Sequence, residues 1–104
     1  MGVKIRMKPD SGLEEVARAL REFEQDHPGT DIVLYRYNPV SIRMKIVSEK
    51  FKGMSRSQRH DYAMSYLKDL DPETYADLSL LVCLIPGEGS MMDYEFEDPE
   101  ALMP

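Results

Sequence analysis

The chain has one cysteine, Cys83, and no apolar run longer than the six residues from Leu80 to Ile85. A single thiol excludes an internal disulfide and a cysteine-rich zinc site. Six apolar residues fall far short of the roughly 20 that cross a bilayer as a helix. At the amino end, Val3-Lys4-Ile5-Arg6-Met7-Lys8 alternates apolar with charged residues where a secretory signal would hold an apolar block. Gly2 is not followed by the Ser or Thr of a myristoylation site, so a cytoplasmic location is expected. Neither a Walker-type nor a dinucleotide-binding glycine loop occurs. Positive charge is missing from a whole third of the chain, since residues 69 to 104 hold ten acids and no Lys or Arg. The opposite excess lies at residues 36 to 68, with eight Lys/Arg against two acids in a chain whose net charge is −6.

With 104 residues, 42 % of them hydrophobic and 31 % charged, the chain is expected to form one globular domain around a modest core. Val3, Ile5 and Met7 alternate with Lys4, Arg6 and Lys8 as in a half-buried strand. After Pro9-Asp10-Ser11-Gly12, the residues Leu13, Val16, Ala17, Leu20 and Phe23 recur at helical spacing up to His27-Pro28-Gly29, and Ser11 with Glu14 fits a capping box. Asp31 to Tyr37, the turn signal Asn38-Pro39, and the alternating Val40, Ile42, Met44 and Ile46 read as a β-hairpin. Ser55 and Gln58 make a second capping box, and Tyr62, Ala63, Tyr66, Leu67 and Leu70 predict a helix ending near Leu70. Asp71-Pro72 opens a short helical turn through about Ala76. Leu78 to Ile85 lacks alternation, which predicts a strand covered on both faces or interior to a sheet, with Cys83 as a small buried hydrophobe within it. The domain is placed at residues 1–90 and an acidic tail at 91–104, in which Tyr94 and Phe96 suit a sheet edge.

The order helix, strand, strand, helix, short helix, strand is that of the type II KH-like layer, with an extra N-terminal strand. Within it, Val47-Ser48-Glu49-Lys50-Phe51-Lys52-Gly53-Met54-Ser55 followed by Arg59-His60 resembles the BolA family, which carries a similar valine, serine, phenylalanine, glycine and Arg-His pattern at this junction. Pro86, after an apolar strand, resembles the place where that family reads Thr-Pro-Glu-Glu. The resemblance spans residues 13 to 88. It implies a non-enzymatic adaptor or regulator of α+β fold, two-layered, with a mixed sheet and its helices on one face. It also implies pairing with monothiol glutaredoxins around a shared iron–sulfur cluster and, in some members, DNA binding through the glycine turn and the helix after it. The family's metal-binding histidine precedes the last strand; here Ala76-Asp77 stands in its place and no histidine follows His60. No metal ligand and no cofactor are therefore carried over.

The binding candidates are Lys50, Lys52, Arg56 and Arg59 with His60, joined by Arg43 and Lys45 on one face of the hairpin's second strand. A glycine turn entering a helix amino terminus offers backbone N–H groups to an anion, and added cations make a nucleic-acid contact a coherent reading. A solvated basic face is the plainer one. The Gly-x-x-Gly clamp of KH domains is absent, because Gly53 is followed by Met54-Ser55-Arg56. His60 beside Asp61 has no paired nucleophile in sequence, and His27 at a helix end suits carbonyl satisfaction. The expectation is a module without catalytic residues that binds a protein partner, glutaredoxin-like by the resemblance, through the glycine-turn and helix surface. The alternative is nucleic-acid binding by residues 50–60. Self-association is open, and the acidic tail is expected either to add solubility or to fold back over the basic segment.

Overall fold

A computed structural model describes residues 2–5 and 10–88, and in it the short alternation at the amino end becomes strand β1, Gly2–Ile5. Helix α1 runs Ser11–Asp26 and buries Leu13, Val16, Ala17, Leu20 and Phe23, the positions its periodicity predicts. Its cap is Asp10 and not the Ser11 expected, because the Asp10 carboxylate accepts from the Leu13 N–H at 2.9 Å while Arg36 holds it from the other side. Strands β2, Asp31–Asn38, and β3, Ser41–Val47, form the antiparallel hairpin. Val40, expected on the apolar face, lies in the connecting turn, where its N–H donates to the Asn38 side chain and its side chain is 68 % exposed.

After a 3₁₀ turn at Glu49–Phe51 comes α2, Arg56–Met64, with the Ser55/Gln58 capping box formed in both directions. The helix stops six residues before the expected Leu70. From Ser65 the chain tightens into i→i−3 bonds, with Tyr66 N–H on Ala63 and Leu67 N–H on Met64, so Leu67 and Leu70 still reach the core. Asp71 caps α3, Pro72–Asp77, and β4 follows at Leu78–Leu84.

The four strands lie in the order β1-β2-β3-β4, with β1 parallel to β2 and β4 parallel to β3. This is a mixed sheet with an extra N-terminal strand. The register sorts its side chains into two faces. Val3–Ile32–Ile46–Cys83 and Ile5–Leu34–Met44–Leu81 line the helix side, where Leu13, Leu20, Phe23, Phe51, Ala63 and Leu67 complete the core. Burial of each such large side chain contributes roughly 1.5–3 kcal/mol. Among the described residues β4 is an edge strand of this sheet. Its missing alternation comes from Leu80, Val82 and Leu84 pointing to the face that carries no helix among the described residues, while Leu81 and Cys83 point to the core side. The expected acidic tail, with Tyr94 and Phe96, lies outside the described residues.

Candidate functional site

The path from β3 into α2 is built by local rules. Ser48, buried, accepts the Lys50 N–H and caps the 3₁₀ turn, while the Thr30 hydroxyl donates to it at 2.9 Å. Phe51 drops into the core against Phe23, ring centroids 5.6 Å apart. The Met54 N–H then donates to the Phe51 carbonyl at 3.0 Å across Lys52 (φ −60°, ψ 128°) and Gly53 (φ 84°), which is a type II turn. A Cβ at Gly53 would sit in the left-handed region at a cost of about 1–2 kcal/mol. The turn delivers Ser55 as the α2 cap, so Arg56, Arg59 and His60 fall in the first turns of the helix.

These three residues, with Met54 and Ser55, form one wall of a groove of about 580 Å³. The other wall is β4 from Leu80 to Leu84, which has no strand on its outer side among the described residues, and Glu88 joins the lining. In a parallel ladder alternate residues bond to the same neighbour. Leu84 takes the Ser48 N–H on its carbonyl at 2.9 Å, so Leu81 and Cys83 turn their backbone groups to the outer edge. The groove therefore combines an apolar strand edge with a cationic rim.

Arg59 is not a free cation in this arrangement. Its Nε donates to the Met54 carbonyl at 3.1 Å, and its Nη1 donates to the Cys83 carbonyl at 3.2 Å and to Glu88 Oε1 at 2.6 Å. Its side chain is only 12 % exposed. The hydrogen bond from Arg59, reinforced by the Ile85 N–H at 3.2 Å, holds the Glu88 carboxyl below its usual range. Burial pushes the Cys83 thiol up to about 12 against the pull of Arg59, so it stays protonated at neutral pH and lacks the thiolate of a reactive cysteine.

The other candidates lie elsewhere. Lys50 places its ammonium 5.0 Å from the Tyr62 ring centroid, and Lys52 is exposed in the type II turn. Arg43 and Lys45 are on the helix-free face, where the Arg43 guanidinium lies 3.6 Å from the Tyr37 ring centroid. The seven candidates thus occupy three places, of which Arg56, Arg59 and His60 share the groove. His60 Nδ1 is 3.9 Å from Asp61 Oδ1, with both side chains more than half exposed, which is too far for an acid–base pair.

Sequence reasoning did not find the strand-edge wall or the Glu88 link; residues 29 apart give no periodic signal. Nor did it find the polar chain that ties the end of α1 to Tyr62 and Tyr66. His27, whose backbone N–H satisfies Phe23, shares a hydrogen bond between its Nε2 and the Tyr62 hydroxyl at 2.6 Å. Tyr66 donates to Asp26 at 2.6 Å; burial, then that bond, raises its phenol above the ordinary value. The spacing of Tyr62 and Tyr66 was visible only as a buried stripe.

An iron–sulfur ligand is what the resemblance implies just before the last strand. Asp77 stands there, and its carboxylate accepts from Arg36 Nη1 at 3.0 Å. Among the described residues no group of three or more His, Cys, Asp or Glu is placed to hold a metal. The residues at that place do not fit such a ligand. Among the described residues, also, no helix is long and apolar enough to cross a membrane.

No protein-family model and no curated protein matches the sequence. The structure is similar to that of BolA1 from Arabidopsis thaliana, with a TM-score of 0.55 and 19 % identity, over 79 % of this chain and 100 % of that one. At that identity the likeness establishes the architecture, a BolA-like α+β fold.

Proposed function

We propose that this BolA-like fold serves as a non-enzymatic interaction module that binds a protein partner in the groove between the amino end of α2 and the edge of β4. One observation carries the reading. An apolar strand edge, Leu80 to Leu84, faces a 580 Å³ groove rimmed by Arg56 and His60. Such an edge offers backbone groups and apolar contacts together, which suits an extended or loop segment of another protein. A glutaredoxin-like partner is the first to test. The nucleic-acid reading draws less support, because Arg59 is committed to Glu88 and to two carbonyls, and Arg43 and Lys45 are not among the residues that line the groove.

The test is an NMR titration of the isotope-labelled chain with a monothiol glutaredoxin and, separately, with short single-stranded and duplex DNA and RNA, at about 0.15 M salt. Shifts at Met54 to His60 and Leu80 to Leu84 with the glutaredoxin, weakened by Arg56→Glu, are the expected result. Shifts at residues 50–60 with nucleic acid that survive this salt, with no response to the protein, would replace the reading by the nucleic-acid one.

A further inference from the structure

Four side chains of metal-ligating type meet where the end of α1 lies against α2, and none of them lines the groove. Asp26 and His27 are consecutive at the end of α1, and Tyr62 and Tyr66, four residues apart, reach them from α2 and the tight turns after it. His27 Nε2 and the Tyr62 hydroxyl are 2.6 Å apart, the two tyrosine hydroxyls 3.4 Å, and the Tyr66 hydroxyl and Asp26 Oδ2 2.6 Å. The outer links are tight, but the middle one is well beyond the roughly 2.7–2.8 Å of a good O–H···O bond. The cluster is therefore two firm pairs joined by a slack contact. Fully buried Phe23 seats all three rings, its own centroid 5.0 Å from that of His27, 5.7 Å from Tyr62 and 5.1 Å from Tyr66.

The electrostatics of this end suit a cation. A helix C-terminus carries partial negative charge on its unbonded carbonyls. Helix α1 is 16 residues long and has no basic residue in its last turn, and it ends at Asp26. Asp26 is exposed while His27, Tyr62 and Tyr66 are half-buried, so the donors are open to solvent on one side and backed by the core on the other.

We propose that these four side chains form a site for a hard trivalent cation, Fe³⁺, with His27 Nε2, the Tyr62 and Tyr66 phenolate oxygens and one Asp26 carboxylate oxygen as ligands. Three oxygen donors and one imidazole suit a hard ion better than a thiophilic one. Adjacent ligands of an octahedral ion bound at roughly 2.0–2.1 Å lie roughly 2.8–3.0 Å apart, so the three links bracket that spacing and small side-chain rotations bring them to it. Binding replaces the two phenol protons, which leave to solvent, and the three negative ligands then balance the triple charge of the ion. The Lys50 ammonium, 5.0 Å from the Tyr62 ring centroid, favours the ionised phenol, and the same three negative ligands offset its repulsion of the metal. Only two of the four ligands are His, Cys, Asp or Glu, so the set differs in kind from the groupings of three that the described residues lack.

This inference stands apart from the groove reading and is tested on the full, metal-free chain by titration with ferric nitrilotriacetate. A visible phenolate-to-iron charge-transfer band that saturates at one equivalent is expected, with tyrosinate vibrations enhanced in Raman spectra excited within it. Tyr62→Phe and Tyr66→Phe keep the ring packing; each should diminish the band, and the double variant should abolish it. Asp26→Asn and His27→Gln should weaken binding while leaving the band visible. Methyl resonances of Leu20 and Ile46 at their unaltered positions show that the variants fold. Ga³⁺, colourless and of the same charge, should compete the band away, whereas excess Mg²⁺ should not. Absence of a saturable band in the unaltered chain, or its survival in the folded double phenylalanine variant, would overturn the proposal. Competition by Mg²⁺ equal to that by Ga³⁺ would overturn the assignment to a trivalent ion.

Discussion

Arg59 and Glu88 are 29 residues apart in sequence, yet the guanidinium of one meets the carboxylate of the other at 2.6 Å while serving the Met54 and Cys83 carbonyls. Read from sequence, Arg59 is one cation in a basic run; in the fold it ties the glycine turn, the helix and the edge strand together. Its planar fork suits several acceptors at once, which a lysine cannot serve. Arg59→Ala should destabilise by about 1–3 kcal/mol, since the Cys83 carbonyl on the strand edge loses its donor. Arg59→Lys should recover only part of that. His60→Ala, at a side chain 55 % exposed, should stay within about 0.5 kcal/mol. Urea midpoints at constant m-value read all three. Equal, negligible changes for Arg59→Ala and His60→Ala would mean that the Arg59 contacts do not organise the site.

At the level of the element, helix α1 begins under a constraint that propensity alone would miss. A Cβ added at Gly12, in its first turn, would lie 2.8 Å from Arg36 Nη2. That guanidinium is pinned, with Nε on Asp10 at 2.7 Å and Nη1 on Asp77 at 3.0 Å, so its tip is not free to swing aside. A glycine-to-alanine change in a helix ordinarily gains about 1 kcal/mol. Gly12→Ala should instead give no gain or a loss in thermal stability, and the same change in an Arg36→Ala background should become stabilising. A gain in both backgrounds would remove the argument. The same trio fastens α1 and the end of α3 to β2, which sets where β4 begins and hence where one wall of the groove stands.

On the scale of the whole molecule, the ion pairs set how stability depends on pH. The hydrogen bond from Arg36 lowers Asp10 below the usual carboxylate value, and Glu15 and Glu88 are lowered by the Asp71 N–H and by Arg59 respectively. A carboxyl depressed in the folded state contributes stability that is present above its unfolded pKa and lost as pH falls through the folded one. The melting temperature should therefore hold from neutral pH to about pH 5 and decline below it, and Asp10→Asn should flatten the decline. At the other end, Tyr66 is raised by burial and by Asp26, so stability should fall from about pH 10, where an unfolded tyrosine ionises and the folded one does not. Thermal scans by circular dichroism across this range check both limbs. An acid limb identical in the protein and in Asp10→Asn would show that the Asp10–Arg36 pair carries no pH-dependent stability.

The sequence by itself determined the order of elements, the helix-facing core and the glycine-turn entry into α2, because each follows from contacts no further than a few residues apart. Leu13 to Phe23 repeat at helical spacing, Ile42, Met44 and Ile46 alternate, and Ser55 with Gln58 closes its own capping box. Only the tertiary structure decided that Asp10 caps α1, that α2 stops at Met64, and that β4, the edge strand among the described residues, walls the groove. It also dispersed the seven basic candidates, taking Arg59 into the Glu88 pair and leaving Arg43 and Lys45, on the β3 face their alternation had given them, outside the groove lining. The physical reason is the same in each case. A hydrogen bond or ion pair between distant residues, and the neighbour a strand receives in a sheet, depend on how elements dock, and no local periodicity records that.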